Sequence, residues 1–106
     1  MIKYKGYQIA PAELEAILIT HPGIAEAAVV ASPEEQAGEV PTAFVVARAP
    51  LTAEEVIEFV AARVAPYKKV RHVEFIDALP KSPAGKLLRR VLRERELWRL
   101  SAGQRG

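Results

Sequence analysis

Pro80-Lys81-Ser82-Pro83-Ala84-Gly85-Lys86, running on into Leu87-Leu88-Arg89-Arg90, divides the chain. Strand-forming sequence lies before it and a basic helix after it. Pro80 and Pro83 fix φ and remove two backbone donors, which makes the segment a stiff, non-helical loop. Gly85 allows a backbone conformation that a side chain would forbid, immediately before Lys86. A stiff loop presenting a flexible ammonium group suits an anion, above all a phosphate or a carboxylate. An ordinary surface lysine at a helix entry has the same local pattern. A phosphate-binding P-loop is excluded, because that motif needs glycine where Pro80 stands and Ser or Thr where Leu87 stands.

Upstream of the loop, residues 70–76 read as a strand with Val73 and Phe75 on one face and His72 toward solvent. Before them, Thr52-Ala53-Glu54-Glu55 is a capping box, with Leu51 and Val56 spaced for a hydrophobic staple. Val56, Phe59, Val60 and Val64 form the core face of that helix, which Pro66 ends. Residues 27–31 and 43–47 are valine-rich apolar runs, the pattern of buried strands. Residues 32–39 between them read as an acidic surface loop in which Glu34 and Glu35 simply face water. Pro11 opens an earlier helix at a position where its missing N–H costs nothing. Leu14, Ile17 and Leu18 are its buried stripe, and Glu13 and Glu15 favour its N-terminal dipole. His21-Pro22-Gly23 ends it, so His21 is a helix-end residue rather than a catalytic base. Residues 1–9 alternate apolar and polar about Gly6, as an edge hairpin guarded by Lys3 and Lys5 would.

Downstream, the last helix directs Leu88, Val91 and Leu92 inward and Arg89, Arg90, Arg93 and Arg95 mostly outward, with Leu97 and Trp98 extending the apolar contact. Residues 101–106 are expected to fray. The order is hairpin, helix, two strands, helix, strand, loop, helix. It predicts a small α+β domain, with helices packed on a three-stranded sheet and a separate N-terminal β-hairpin.

A chain of 106 residues is one domain. No cysteine is present, which excludes disulfides, thiolate metal sites and cysteine nucleophiles, and no metal site is read elsewhere. No apolar run approaches the roughly 20 residues that span a bilayer, and no signal peptide is evident. A cytoplasmic location without membrane contact is therefore expected. The net charge is only +2, but from position 81 onward there are eight Lys or Arg against two Glu. Such a tail raises nucleic acid as a partner. Its amphipathic spacing equally suits a helix docked on the core, and its aromatics are not interleaved with arginine as single-strand binders prefer.

Taken together, the glycine-lysine stretches are recognisable. Ile2-Lys3-Tyr4-Lys5-Gly6-Tyr7-Gln8-Ile9-Ala10-Pro11-Ala12-Glu13-Leu14-Glu15 closely resembles the motif opening the C-terminal domain of adenylate-forming enzymes. These are the acyl-CoA synthetases, the nonribosomal peptide adenylation domains and beetle luciferase. His21-Pro22-Gly23-Ile24, Gly38-Glu39-Val40-Pro41 and Ala65-Pro66-Tyr67-Lys68 resemble intervening segments of the same family, in the same order. The loop ending in Lys86 resembles its final motif. The wording is nearest the 4-coumarate:CoA ligase, luciferase-like and fatty acyl-CoA synthetase branch.

The resemblance implies a swivelling, lysine-bearing domain that works on a large N-terminal adenylation domain, in cis or in trans. It implies that ATP with Mg2+ and CoA are substrates of the complete enzyme and that this domain alone binds none of them and is catalytically silent. Lys86 would serve adenylation of a carboxylate, supported by Gly85. Lys3 would serve the thioester-forming half-reaction, with Lys5, Gly6, Tyr7 and Gln8 contacting CoA and the adenylate. Lys86 would also be a target for a lysine acetyltransferase, which would remove its charge. The family's usual Ser or Thr is replaced by Ala84, so one loop hydroxyl is missing. Its hinge residue would lie a few positions upstream of Met1. Two other readings stand beside this one: an amino-acid adenylation domain serving a carrier-protein thiol, and a stand-alone module using the basic helix for binding.

Overall fold

The computed structural model describes residues 1–103. Strands β1 (Ile2–Tyr4) and β2 (Tyr7–Ile9) form the hairpin, and α1 (Pro11–Leu18) follows directly. Two long strands, β3 (Ile24–Glu34) and β4 (Gly38–Ala47), pair antiparallel along their whole length. Helix α2 (Ala53–Ala61), a 3-10 turn at Pro66–Lys68, β5 (His72–Phe75) and α3 (Arg89–Gly103) follow among the described residues.

The strands make one five-stranded sheet, larger than the three-stranded sheet with a separate hairpin that the sequence predicts. β3 occupies one side of β4, and the other side is shared. Tyr4 pairs with Gly38 at its start, while β5 runs parallel to Thr42–Val45 farther along. The single Tyr4–Gly38 bridge, helped by the Lys5 N–H bonding to the Ala37 carbonyl at 2.8 Å, joins the hairpin to the sheet. The predicted loop over residues 32–39 also shrinks. Ser32, Pro33 and Glu34 extend β3, and Glu39 lies in β4, leaving a turn closed by Glu34 accepting the Ala37 N–H at 2.6 Å.

The central strands are buried on both faces, which is why they read as continuous apolar runs. Val29, Ala31, Ala43 and Val45 face α1 and α2, packing with Leu14, Leu18, Val56 and Val60. Ala28, Val30 and Phe44 face the other way, onto Leu92 of α3 with Ile76, Leu79 and Leu87. The capping box of α2 is present, with Thr52 accepting from the Glu55 N–H and Glu55 from that of Thr52. At the end of α1, His21 Nδ1 accepts the Gly23 N–H at 2.9 Å, a helix-end role.

Helix α3 departs from the expected pattern. Leu92 and Glu96 point inward and are 1% and 0% exposed, whereas Val91, Leu97 and Trp98 are exposed. The helix continues through Ser101 to Gly103, and the rest of the expected frayed tail lies outside the described residues.

Candidate functional site

The Lys86 loop is a tight hairpin. Lys81 and Leu87 form an antiparallel bridge. Inside it, the Gly85 N–H bonds the Ser82 carbonyl at 2.8 Å, and the Ser82 N–H bonds the Lys86 carbonyl at 2.8 Å. With Pro83 second in the turn and Gly85 at φ +83°, this is the pattern of a type I turn followed by a left-handed glycine bulge. Ser82 Oγ also accepts the Lys86 N–H at 3.2 Å. The backbone is thus fixed up to the lysine, while Lys86 itself is exposed. Leu87 packs beneath, and α3 begins at Arg89, so the loop stands on the core rather than hanging from it.

The second group of candidates occupies the hairpin β1–β2. Lys5 and Gly6 form its turn, both with positive φ, at +47° and +86°. Lys3 faces Gln8 across the ladder, and Tyr4 faces Tyr7. Lys3, Lys5, Gly6, Tyr7 and Gln8 are all exposed. The Tyr7 ring stacks on Tyr67 with centroids 4.3 Å apart, and the Arg71 guanidinium lies 4.7 Å from the Tyr4 ring. The Lys3 N–H bonds Glu39 Oε1 at 2.9 Å, which anchors the strand from outside the ladder.

The structure brings Lys3, Lys5, Gly6, Tyr7 and Gln8 together and keeps Lys86 and Gly85 apart from them. Lys81, at the root of the Lys86 hairpin, lies 2.5 Å from Glu26 near the start of β3. The β1–β2 hairpin joins Gly38, which faces Glu34 at the far end. Positions 26 and 34 of one strand are separated by roughly 26 Å at about 3.3 Å per residue. The domain itself spans only 34 × 31 × 29 Å. The two loops therefore crown opposite ends of the β3–β4 ladder.

Three sets of contacts were not legible in the sequence. The acidic residues of α1 each hold a cation from a distant segment: Glu13 binds Lys68 at 2.8 Å, and Glu15 binds Arg89 of α3. The bond from Glu13 raises the Lys68 pKa above its usual value. The bond from Glu15 does the same for Arg89, against the opposing effect of burial. No local pattern pairs residues 55 and 74 positions apart.

Second, Glu96 is a fully buried carboxylate. Ser32 donates to it at 2.8 Å, Thr42 at 3.1 Å, and Arg99 through two bonds at 2.8 and 2.7 Å. Burial pushes its pKa up, but the bonds from Arg99 and Ser32, with help from Thr42, outweigh that and hold it below the usual carboxyl value. Third, His72 does not face solvent as expected. Its Nε2 is buried without a hydrogen bond, and with Glu74 and Glu96 it brings ligand-type atoms within 4.8 Å of one another. A metal ion fits this cluster poorly, because both carboxylates are already engaged by guanidinium groups, Glu74 by Arg95 and Glu96 by Arg99.

Pairing also engages the arginines of α3 among the described residues. Each arginine of α3 through position 99 lies within 4.0 Å of a carboxylate: Arg89 with Glu15, Arg90 with Glu94, Arg93 with Glu39, Arg95 with Glu74 and Arg99 with Glu96. No helix among the described residues is long and apolar enough to cross a membrane.

Comparison with known proteins shows the family and the fold. The pattern of the AMP-binding enzyme C-terminal domain matches residues 13–86. The 4-coumarate–CoA ligase-like 5 of Oryza sativa subsp. japonica is 61% identical over 100 residues, covering 92% of this chain and 18% of the relative. The fatty acyl CoA synthetase of Mycobacterium tuberculosis superposes with a TM-score of 0.84 at 40% identity, covering 90% of this chain and 19% of that one. The o-succinylbenzoate CoA synthetase of Bacillus subtilis, solved with its acyl-adenylate intermediate, gives a TM-score of 0.82 at 37% identity, over 87% and 19% of the two chains. The chain thus spans about a fifth of the length of the proteins it matches.

Proposed function

Because this chain belongs to the AMP-binding enzyme C-terminal domain family, we propose that it is the mobile domain of an acid–thiol ligase. That ligase joins a carboxylate to the α-phosphate of ATP as an acyl adenylate, releasing pyrophosphate, and then transfers the acyl group to the thiol of CoA, releasing AMP. The observation that carries the proposal is the separation of the two lysine-bearing loops at opposite ends of the β3–β4 ladder. Two loops anchored at strand positions roughly 26 Å apart cannot serve one reacting centre in one pose. They can serve it in turn if the domain rotates against a partner domain that holds the substrates.

In the adenylating pose, Lys86 enters the site. Its ammonium group neutralises charge on the substrate carboxylate and on the oxygens around the α-phosphorus as attack proceeds. A compact cation on a flexible stem can follow several oxygens through that change. In the thioester-forming pose, the β1–β2 hairpin takes its place. The turn at Lys5-Gly6 lets the thiol's arm pass close to the backbone, with Lys3 and Gln8 side by side on the adjoining strands. Tyr7, propped on Tyr67, offers a ring beside that path.

The partner is the N-terminal adenylation domain, in cis or in trans, and the isolated chain is inactive. An acetyl group on Lys86 would silence the first half-reaction by removing the charge. The test is Lys86→Ala in a complete ligase carrying this domain. Adenylation should fall by about 10²–10³-fold, the usual loss for one charge-stabilising donor. Thioester formation from supplied acyl adenylate should persist. Equal loss of both would contradict the assignment.

A further inference from the structure

The Lys86 hairpin makes its turn bonds with its own residues, so what aims it must lie at its roots. On the N-terminal side, Lys81 pairs with Glu26, but both side chains are about 40% exposed. Such a pair contributes at most about 1 kcal/mol and holds direction weakly. The C-terminal side differs in its geometry and not in the exposure of its cation, since Arg89 is itself 44% exposed against 16% for its partner Glu15. There the Leu88 N–H bonds the Pro80 carbonyl at 2.9 Å, and the next residue is Arg89.

Arg89 donates to both oxygens of Glu15 on α1 and, at 3.0 Å, to the Val29 carbonyl on β3. Glu15 in turn accepts the Val29 N–H at 2.8 Å. Val29 lies on the free edge of β3, and one Arg–Glu pair satisfies both of its outward backbone groups. The pair also crosses the sheet edge, tying α1 on one face to α3 on the other. A guanidinium presents its donors in a fixed fork, so these contacts determine the direction as well as the position of the first turn of α3. That turn starts three residues after Lys86.

We propose that Arg89 is a positioning residue for Lys86: locked on Glu15 and Val29, it sets the direction in which the hairpin carries the ammonium group away from the domain. The proposal rests on the reading of Lys86 as the adenylating lysine. An error of about 1 Å at a reacting group can cost about 100-fold in rate, so a loosened root is felt at the tip. Arg89 need touch no substrate for this.

The test compares Arg89→Lys, Arg89→Ala and Lys86→Ala in a complete ligase, with the two half-reactions assayed separately. Lysine keeps the charge beside Glu15 but lacks the rigid planar fork that fixes the direction of these bonds. Arg89→Lys should slow adenylation about 10-fold and Arg89→Ala about 100-fold. Thioester formation from supplied acyl adenylate should stay near the unsubstituted rate in both. Should the alanine variant fail to fold, the lysine variant carries the comparison alone. Proportional loss of both half-reactions would reduce Arg89 to a brace for the fold, and unchanged adenylation would also overturn the proposal. Lys86→Ala separates the two levels. If it retains adenylation, the reading of the loop fails; if it loses adenylation while Arg89→Lys does not, only the positioning role fails.

Discussion

A methyl group added at Gly38 would lie 3.2 Å from the Lys3 carbonyl oxygen, whereas one added at Gly85 meets nothing within 4 Å. Both glycines have left-handed backbones, at φ +91° and +83°. Gly85→Ala should therefore cost only the backbone strain, about 1 kcal/mol. Gly38→Ala adds a push against β1 at the point where the hairpin joins the sheet, for a total of about 2 kcal/mol. Urea unfolding of the two variants measures the difference, and equal midpoints would mean that β1 yields freely. The tightness of the Lys86 turn was legible in the sequence, because proline and glycine act on their own backbone. Burial of His72 Nε2 was not, since it depends on what packs over β5.

At the scale of elements, α3 is held by a charge as much as by apolar contact. Glu96→Ala would strip Ser32, Thr42 and Arg99 of their shared acceptor inside the fold, and should destabilise the domain by about 3 kcal/mol. The same carboxylate makes stability depend on pH. Its folded pKa lies below the usual 4.5, so its contribution is complete above that value and fades as pH falls through the lower folded one. Thermal melts taken downward from about pH 5 should show this loss, and Glu96→Gln should flatten it. An equally steep fall in the variant would assign the acid sensitivity elsewhere. Glu96 was hidden in the sequence among arginines, and the apolar spacing favoured Val91 as the inward residue. Arg99 is a neighbour on the same helix, but Ser32 and Thr42 lie 64 and 54 positions away, beyond any periodic pattern. The cap of α2, by contrast, was readable because Thr52 and Glu55 are neighbours.

For the whole molecule, the β3–β4 ladder acts as a spacer with a lysine-bearing loop at each end. Its strands were legible as apolar runs, but their length was not, because Ser32, Glu34 and Glu39 look like loop residues until the ladder pairs them. The five-stranded sheet was equally out of reach, since one bridge between Tyr4 and Gly38 incorporates the hairpin. That spacing underlies the central claim, that one domain presents two faces to one reaction in succession. The most direct measurement is the rate of each half-reaction in a complete ligase carrying Lys3→Ala, set against the same ligase carrying Lys86→Ala. The account predicts a crossed result: Lys3→Ala forms acyl adenylate normally and slows thioester formation by about 10²-fold, while Lys86→Ala does the reverse. Parallel losses in the two variants would mean that both loops act in a single pose, and would contradict it.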